Sequence, residues 1–115
     1  NNLPDASTVS EIHAGHALLV REIRARAPGA KVLLLGIFPR VDSWSGQAAR
    51  DKIAPLNTAL STLADGRMVH YLDIGRVFVA PDGTIPTSVM MDGLHLTELG
   101  YRRWADAMLP TLRDL

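Results

Sequence analysis

The 115 residues contain no cysteine, which removes disulfides, a thiolate nucleophile and Cys-ligated zinc from consideration. Nor is there an excess of either charge, because twelve Lys and Arg balance twelve Asp and Glu. No run of basic residues draws the electrostatic footprint of a nucleic-acid binder, so DNA and RNA are excluded as partners. No apolar run approaches the ~18 residues needed to cross a bilayer, so no membrane span is expected. A basic-then-apolar signal segment is also absent from the sequence as it stands, and any leader would precede Asn1. The compartment stays open, since a lack of cysteine suits both the cytosol and an oxidising exterior. Finally, no Gly-rich loop opens a helix to cradle phosphate, which leaves a receiver-like or nucleotide-binding α/β protein without support.

What is present is an ordinary globular balance of 47% hydrophobic and 21% charged residues, at a length that makes one domain at most. After a loop over residues 3–7, Thr8-Val9-Ser10-Glu11 has the form of a capping box and predicts a helix that Pro28-Gly29 stops. Ile12, His16, Leu19, Val20, Ile23 and Ala27 share one face at helical spacing. His13 and His16 lie three apart, but no third ligand stands beside them, so a metal is not expected there. Val32-Leu33-Leu34-Leu35, bounded by Pro-Gly and by Gly-Ile-Phe-Pro, reads as a strand buried on both faces, as inside a parallel sheet. Residues 47–64 read as a helix that Pro55 interrupts, with its regular part starting near Ala54. Residues 68–72 read as the last strand, with His70 half-buried and Asp73 capping a turn at its carboxyl end. The resulting β-α-β-α alternation predicts a layered α/β domain.

In open parallel sheets ligands bind beyond the carboxyl ends of the strands, so the loop of residues 37–45 should border a site. Phe38, Arg40, Asp42 and Trp44 are its candidates for substrate contact; the other reading makes Phe38 and Trp44 covers for the core edge and Arg40 a surface ion pair. Residues 75–91 contain Pro81-Asp82-Gly83 and Ile85-Pro86, which read as turns. They lead into Met91-Asp92-Gly93-Leu94-His95-Leu96-Thr97-Glu98-Leu99-Gly100-Tyr101. Here Asp92 can accept a hydrogen bond from one ring nitrogen of His95 and leave the other free to take a proton from a nucleophile. Thr97 has the position of an N-cap for a final helix whose Leu99, Trp104, Met108 and Leu112 should face the sheet, with Arg102, Arg103, Asp106 and Arg113 toward water.

Asp92-Gly93-Leu94-His95-Leu96-Thr97-Glu98-Leu99-Gly100-Tyr101 resembles the last block of the SGNH (GDSL-type) hydrolases, which are esterases and lipases. Residues 32–40 and the opening Asn1-Asn2 are similar to the branch that includes the catalytic subunits of platelet-activating-factor acetylhydrolase. The resemblance implies a flavodoxin-like three-layer α/β/α fold with a parallel sheet, and assigns Asp92 and His95 to a Ser-His-Asp triad. It also makes Asn1 a side-chain donor in the oxyanion hole, gives a helical Asn at about position 57 a structural role, and implies no cofactor. The family's Gly-Asp-Ser block lies upstream of the Asn block, and none of Ser7, Ser10, Ser43, Ser45, Ser61 or Ser88 has such a setting. Residues 1–115 are therefore expected to be the C-terminal half of the domain, with the N-terminal half of the same fold as partner and the nucleophile in that half. The expected substrates are small-molecule, carbohydrate or lipid esters with a small acyl group, acetyl above all. The alternative is a catalytically silent interaction or regulatory module that keeps the fold without the chemistry.

Overall fold

The computed structural model describes residues 1–41 and 46–115. Helix α1 spans Val9–Arg26, strand β1 Val32–Leu35, helices α2 and α3 Gly46–Asp51 and Ile53–Ser61, strand β2 Val69–Leu72, and helix α4 Glu98–Asp114, with a 3₁₀ turn at Gly75–Phe78. The start of α1 is set locally: Thr8 Oγ1 accepts from the Glu11 amide at 3.2 Å, and Glu11 Oε2 accepts from the Thr8 amide at 2.7 Å. This reciprocal cap satisfies two donors that the first turn would otherwise leave open.

The two strands are parallel, in the register Val32↔Val69 through Leu35↔Leu72, and the Gly36 amide adds one more bond to Leu72 O at 2.9 Å. Alternation along β2 sends neighbouring side chains to opposite faces. Tyr71 packs against a cluster of Leu3, Ala49, Leu56 and Leu60 that Val9 and Ile12 of α1 also join. Leu72 instead joins Ile74, Phe78, Val89 and Met90, with Phe38 and with Trp104 and Ala107 of α4. Helices thus lie on both faces of a parallel sheet, an α/β/α arrangement with a separate apolar cluster in each interlayer.

Several expectations are corrected. All four residues of β1 are half-buried rather than buried on both faces, because among the described residues the strand has one hydrogen-bonded neighbour, β2. The helix expected over residues 47–64 is two helices broken at Lys52, and Pro55 is the third residue of α3, in the first turn where its missing N–H costs no intrahelical bond. On α1 the inward line runs through Val9, Ile12, His13, His16 and Val20, while Leu19 and Ile23 lie beside it toward solvent.

Helix α4 is rotated from the expected face. Gly100 lies so close to Val89 that a Cβ there would sit 2.5 Å from the Val89 carbonyl oxygen, and this approach turns Gly100, Arg103, Trp104 and Ala107 inward. Arg103 is half-buried and donates to Val77 O at 3.1 Å, whereas Leu99 and Leu112, expected to face the sheet, are exposed, as are Tyr101 and Leu109. Thr97 caps α4 through the Gly100 amide at 3.2 Å.

Candidate active site

The turn before α4 carries the chemistry-bearing pair. Met90 and Leu96 form an isolated antiparallel bridge, and both belong to the second apolar cluster, so the five residues between them leave the core and return at a fixed base. Gly93 supplies the one left-handed backbone step, at φ 78°, which a residue with a Cβ rarely adopts. Inside this turn Asp92 Oδ1 accepts from the amides of Leu94 at 3.0 Å and His95 at 2.7 Å. Its other oxygen, Oδ2, lies 2.6 Å from His95 Nδ1. The hydrogen bond from the His95 side chain, then those from the His95 and Leu94 amides, hold the Asp92 carboxyl well below the usual carboxylate range. Asp92 is therefore an ionised acceptor and Nδ1–H the donor, an arrangement that places the lone pair of the neutral imidazole on Nε2. The His95 side chain is 74% exposed, so Nε2 is open to a reacting group.

The loop after β1 reaches this turn from the other side. Asn57 of α3 grips Ile37 through both of that residue's backbone polar groups, accepting from its amide at 2.6 Å and donating to its carbonyl oxygen at 3.0 Å. Four residues on, the Val41 amide donates to Gly93 O at 2.9 Å. The space for Asn57 depends on Gly36, where a Cβ would sit 3.2 Å from Asn57 Nδ2 and 2.8 Å from Tyr71 Oη.

The other candidates are scattered. Phe38 turns its ring into the second cluster, 4.6 Å from Phe78 and 5.7 Å from Trp104 between ring centroids, and stays half-buried at the edge of that cluster. Arg40 lines an open cavity of about 760 Å³ together with Arg50, Asn57, Tyr71, Asp73 and Arg76. Neither Asp92 nor His95 lines that cavity. Trp44 and Asp42 lie outside the described residues. Asn1 is exposed at the start of the chain. Among the described residues no group of three or more His, Asp or Glu is placed to hold a metal ion, and no helix is long and apolar enough to cross a membrane. His70 is half-buried with Nε2 3.2 Å from Arg67 O. Asp73 accepts from the Gly75 amide at 2.8 Å, a turn-capping contact. The grip on Ile37 could be anticipated only as a structural Asn, and the partners of Lys52 described below had no signal at all in sequence spacing.

Four similarities to known proteins bear on this site. The model of the GDSL-like Lipase/Acylhydrolase family matches residues 1–103. Platelet-activating factor acetylhydrolase IB subunit alpha1 of Homo sapiens is 35% identical over 95 residues, covering 82% of this chain and 40% of that protein. Subunit alpha2 of Rattus norvegicus is 37% identical over 98 residues, covering 84% of this chain and 42% of its own length. The chain thus spans about two fifths of the length of these curated relatives. A solved structure from Streptococcus pneumoniae, described as a platelet activating factor, shares the fold with a TM-score of 0.83, at 22% identity, over 97% of this chain and 55% of that one.

Proposed function

The chain belongs to the GDSL-like lipase/acylhydrolase family, and from that premise we propose that Asp92 and His95 are the acid and base of a Ser-His-Asp triad that hydrolyses small acyl esters. The observation that carries the reading is the 2.6 Å contact between Asp92 Oδ2 and His95 Nδ1, which fixes the tautomer and leaves Nε2 as an exposed base. The nucleophilic serine comes from the N-terminal half of the domain, upstream of Asn1, and residues 1–115 supply the remainder.

In the acylation step His95 Nε2 takes the serine proton as the serine oxygen bonds to the ester carbonyl carbon, and the carbonyl electron pair moves onto oxygen. Asn1 donates a hydrogen bond to that oxyanion from its side-chain amide. When the carbonyl re-forms, the alkoxy group departs and receives the proton from His95. Water then repeats the sequence on the acyl-serine, releasing the carboxylic acid. Asp92 keeps its charge throughout and stabilises the imidazolium that forms in each half-reaction. Acetyl esters are the favoured substrates on the strength of the acetylhydrolase relatives. Phe38, Arg40 and Trp44 are the proposed substrate contacts.

Intact-mass spectrometry before and after a fluorophosphonate probe tests the reading. A polypeptide that includes residues 1–115 should gain one probe mass on a serine, and His95→Ala should abolish the gain. Labelling that survives His95→Ala, or a complete polypeptide that takes no label, would sink the triad and leave the catalytically silent module.

A further inference from the structure

Lys52 stands in the break between α2 and α3, at a position to which no chemistry has been assigned. Its ammonium donates to three backbone carbonyls of the segment before α1: Leu3 O at 3.0 Å, Asp5 O at 3.1 Å and Ser7 O at 2.8 Å. An ammonium has three N–H donors and no acceptor, so all three are used within one short stretch of chain. The carbonyls come from alternate residues, so residues 3–7 curl around the charge with every second peptide turned inward. Two further anchors hold the same segment. The Leu3 side chain is 5% exposed and buried with Ala49, Leu56 and Leu60 of α2 and α3, and Thr8 begins α1 in its capping box. The exposed Asp5 carboxylate accepts from the Ser7 amide at 2.7 Å and stiffens the curl.

From this geometry we infer that Lys52 is a positioning residue for Asn1, and that the α2–α3 break exists to hold the oxyanion-donor segment at a fixed place relative to the rest of the domain. Asn1 is two residues from Leu3, the first residue the ammonium pins, so the freedom of its side chain is set by how firmly residues 3–7 are held. A donor displaced by about 1 Å loses much of its transition-state contact while ground-state binding is little changed. The effect of losing Lys52 therefore belongs in kcat rather than KM. A merely structural lysine would lower stability and leave kcat alone. The inference rests on the reading of Asn1 as an oxyanion donor.

The test is a double-mutant cycle, in the complete polypeptide that carries the serine, with a short-chain p-nitrophenyl ester as substrate. Lys52→Met keeps an unbranched apolar stem, one atom shorter, and removes the donors; it should lower kcat about tenfold or more, within the ~10²–10³-fold cost of losing one oxyanion donor, with KM changed by about twofold at most. Asn1→Ala should lower kcat further, and adding Lys52→Met to Asn1→Ala should cost almost nothing more. If Lys52→Met does not fold, Lys52→Arg, which keeps the charge but offers a planar fork in place of three converging donors, should show a smaller fall in kcat with the same dependence on Asn1. A folded Lys52 variant with full kcat beside a slow Asn1→Ala overturns this inference alone, as does an equal fall with and without Asn1. A full-rate Asn1→Ala overturns the oxyanion reading and this inference together, while loss of activity in His95→Ala still reports separately on the triad.

Discussion

At the scale of single residues, acidic side chains of this protein are held ionised mainly by local hydrogen bonds. Asp65 Oδ1 accepts from the amides of Arg67, Met68 and Val69 at 2.8 to 2.9 Å, and those backbone bonds lower its pKa from the ordinary 3.8 to about 2. A folded-state value below the unfolded one means that the group stabilises the fold above about pH 4, and that this stabilisation fades as pH falls through about 2. Urea unfolding midpoints of the wild type and Asp65→Asn should therefore differ at neutral pH and converge between pH 4 and 2. A difference that stays constant across that range would show that the charge contributes nothing. Asp92 has the same sign, with the hydrogen bond from the His95 side chain as the largest cause and the His95 and Leu94 amides after it; under the proposed mechanism, protonation of Asp92 would therefore not set the acidic limit.

At the scale of elements, the clearest case is α4, whose rotation is decided by one small residue. Gly in a helix interior ordinarily costs about 1 kcal/mol relative to Ala, so Gly100→Ala would stabilise a helix judged by propensity alone. Here the added Cβ would meet Val89 O at 2.5 Å and Leu96 Cδ2 at 2.9 Å, and the substitution should destabilise by about 1–3 kcal/mol as an overpacking change. Chemical denaturation reads the sign directly. A stabilised variant would mean that α4 is free to move off the turn that carries Val89.

The same contrast separates what the sequence made legible from what it did not. Thr8 and Glu11, Thr97 and Gly100, and Asp92 and His95 interact across three residues, and their hydrogen bonds could be read from spacing. So could the parallel β-α-β order, from Val32-Leu33-Leu34-Leu35 and the helices around it. The rotation of α4, the inward turn of Arg103, the packing of Phe38 on Phe78 and the three carbonyls around Lys52 depend on partners from 11 to 49 residues away. No local pattern encodes those contacts. Leu99 and Leu112 are apolar at plausible inward spacing, yet the close approach of Gly100 to Val89 fixes a different face.

At the scale of the whole molecule, both outer layers keep apolar surface in water. Leu18 and Leu19 of α1 are 49% and 57% exposed, and Leu109 and Leu112 of α4 are 42% and 45% exposed. One edge of β1 has no hydrogen-bonded strand among the described residues. Exposed apolar side chains and an open strand edge both favour association. If the proposed N-terminal half completes the layers, the 115 residues by themselves should self-associate at micromolar concentration in analytical ultracentrifugation, and Leu109→Glu with Leu112→Lys should shift the distribution toward monomer. A sharp monomeric unfolding transition from the isolated chain would contradict this. Within this frame Asn57 has a meaning larger than one side chain. Its amide offers Ile37 an oxygen and an N–H side by side, as a paired residue of an antiparallel neighbour would, so a single residue of α3 serves as one rung of a strand that the sheet lacks among the described residues. The loop that runs on to Gly93 is thereby counted, mechanically, as part of a helix, and it can shift only when that helix shifts.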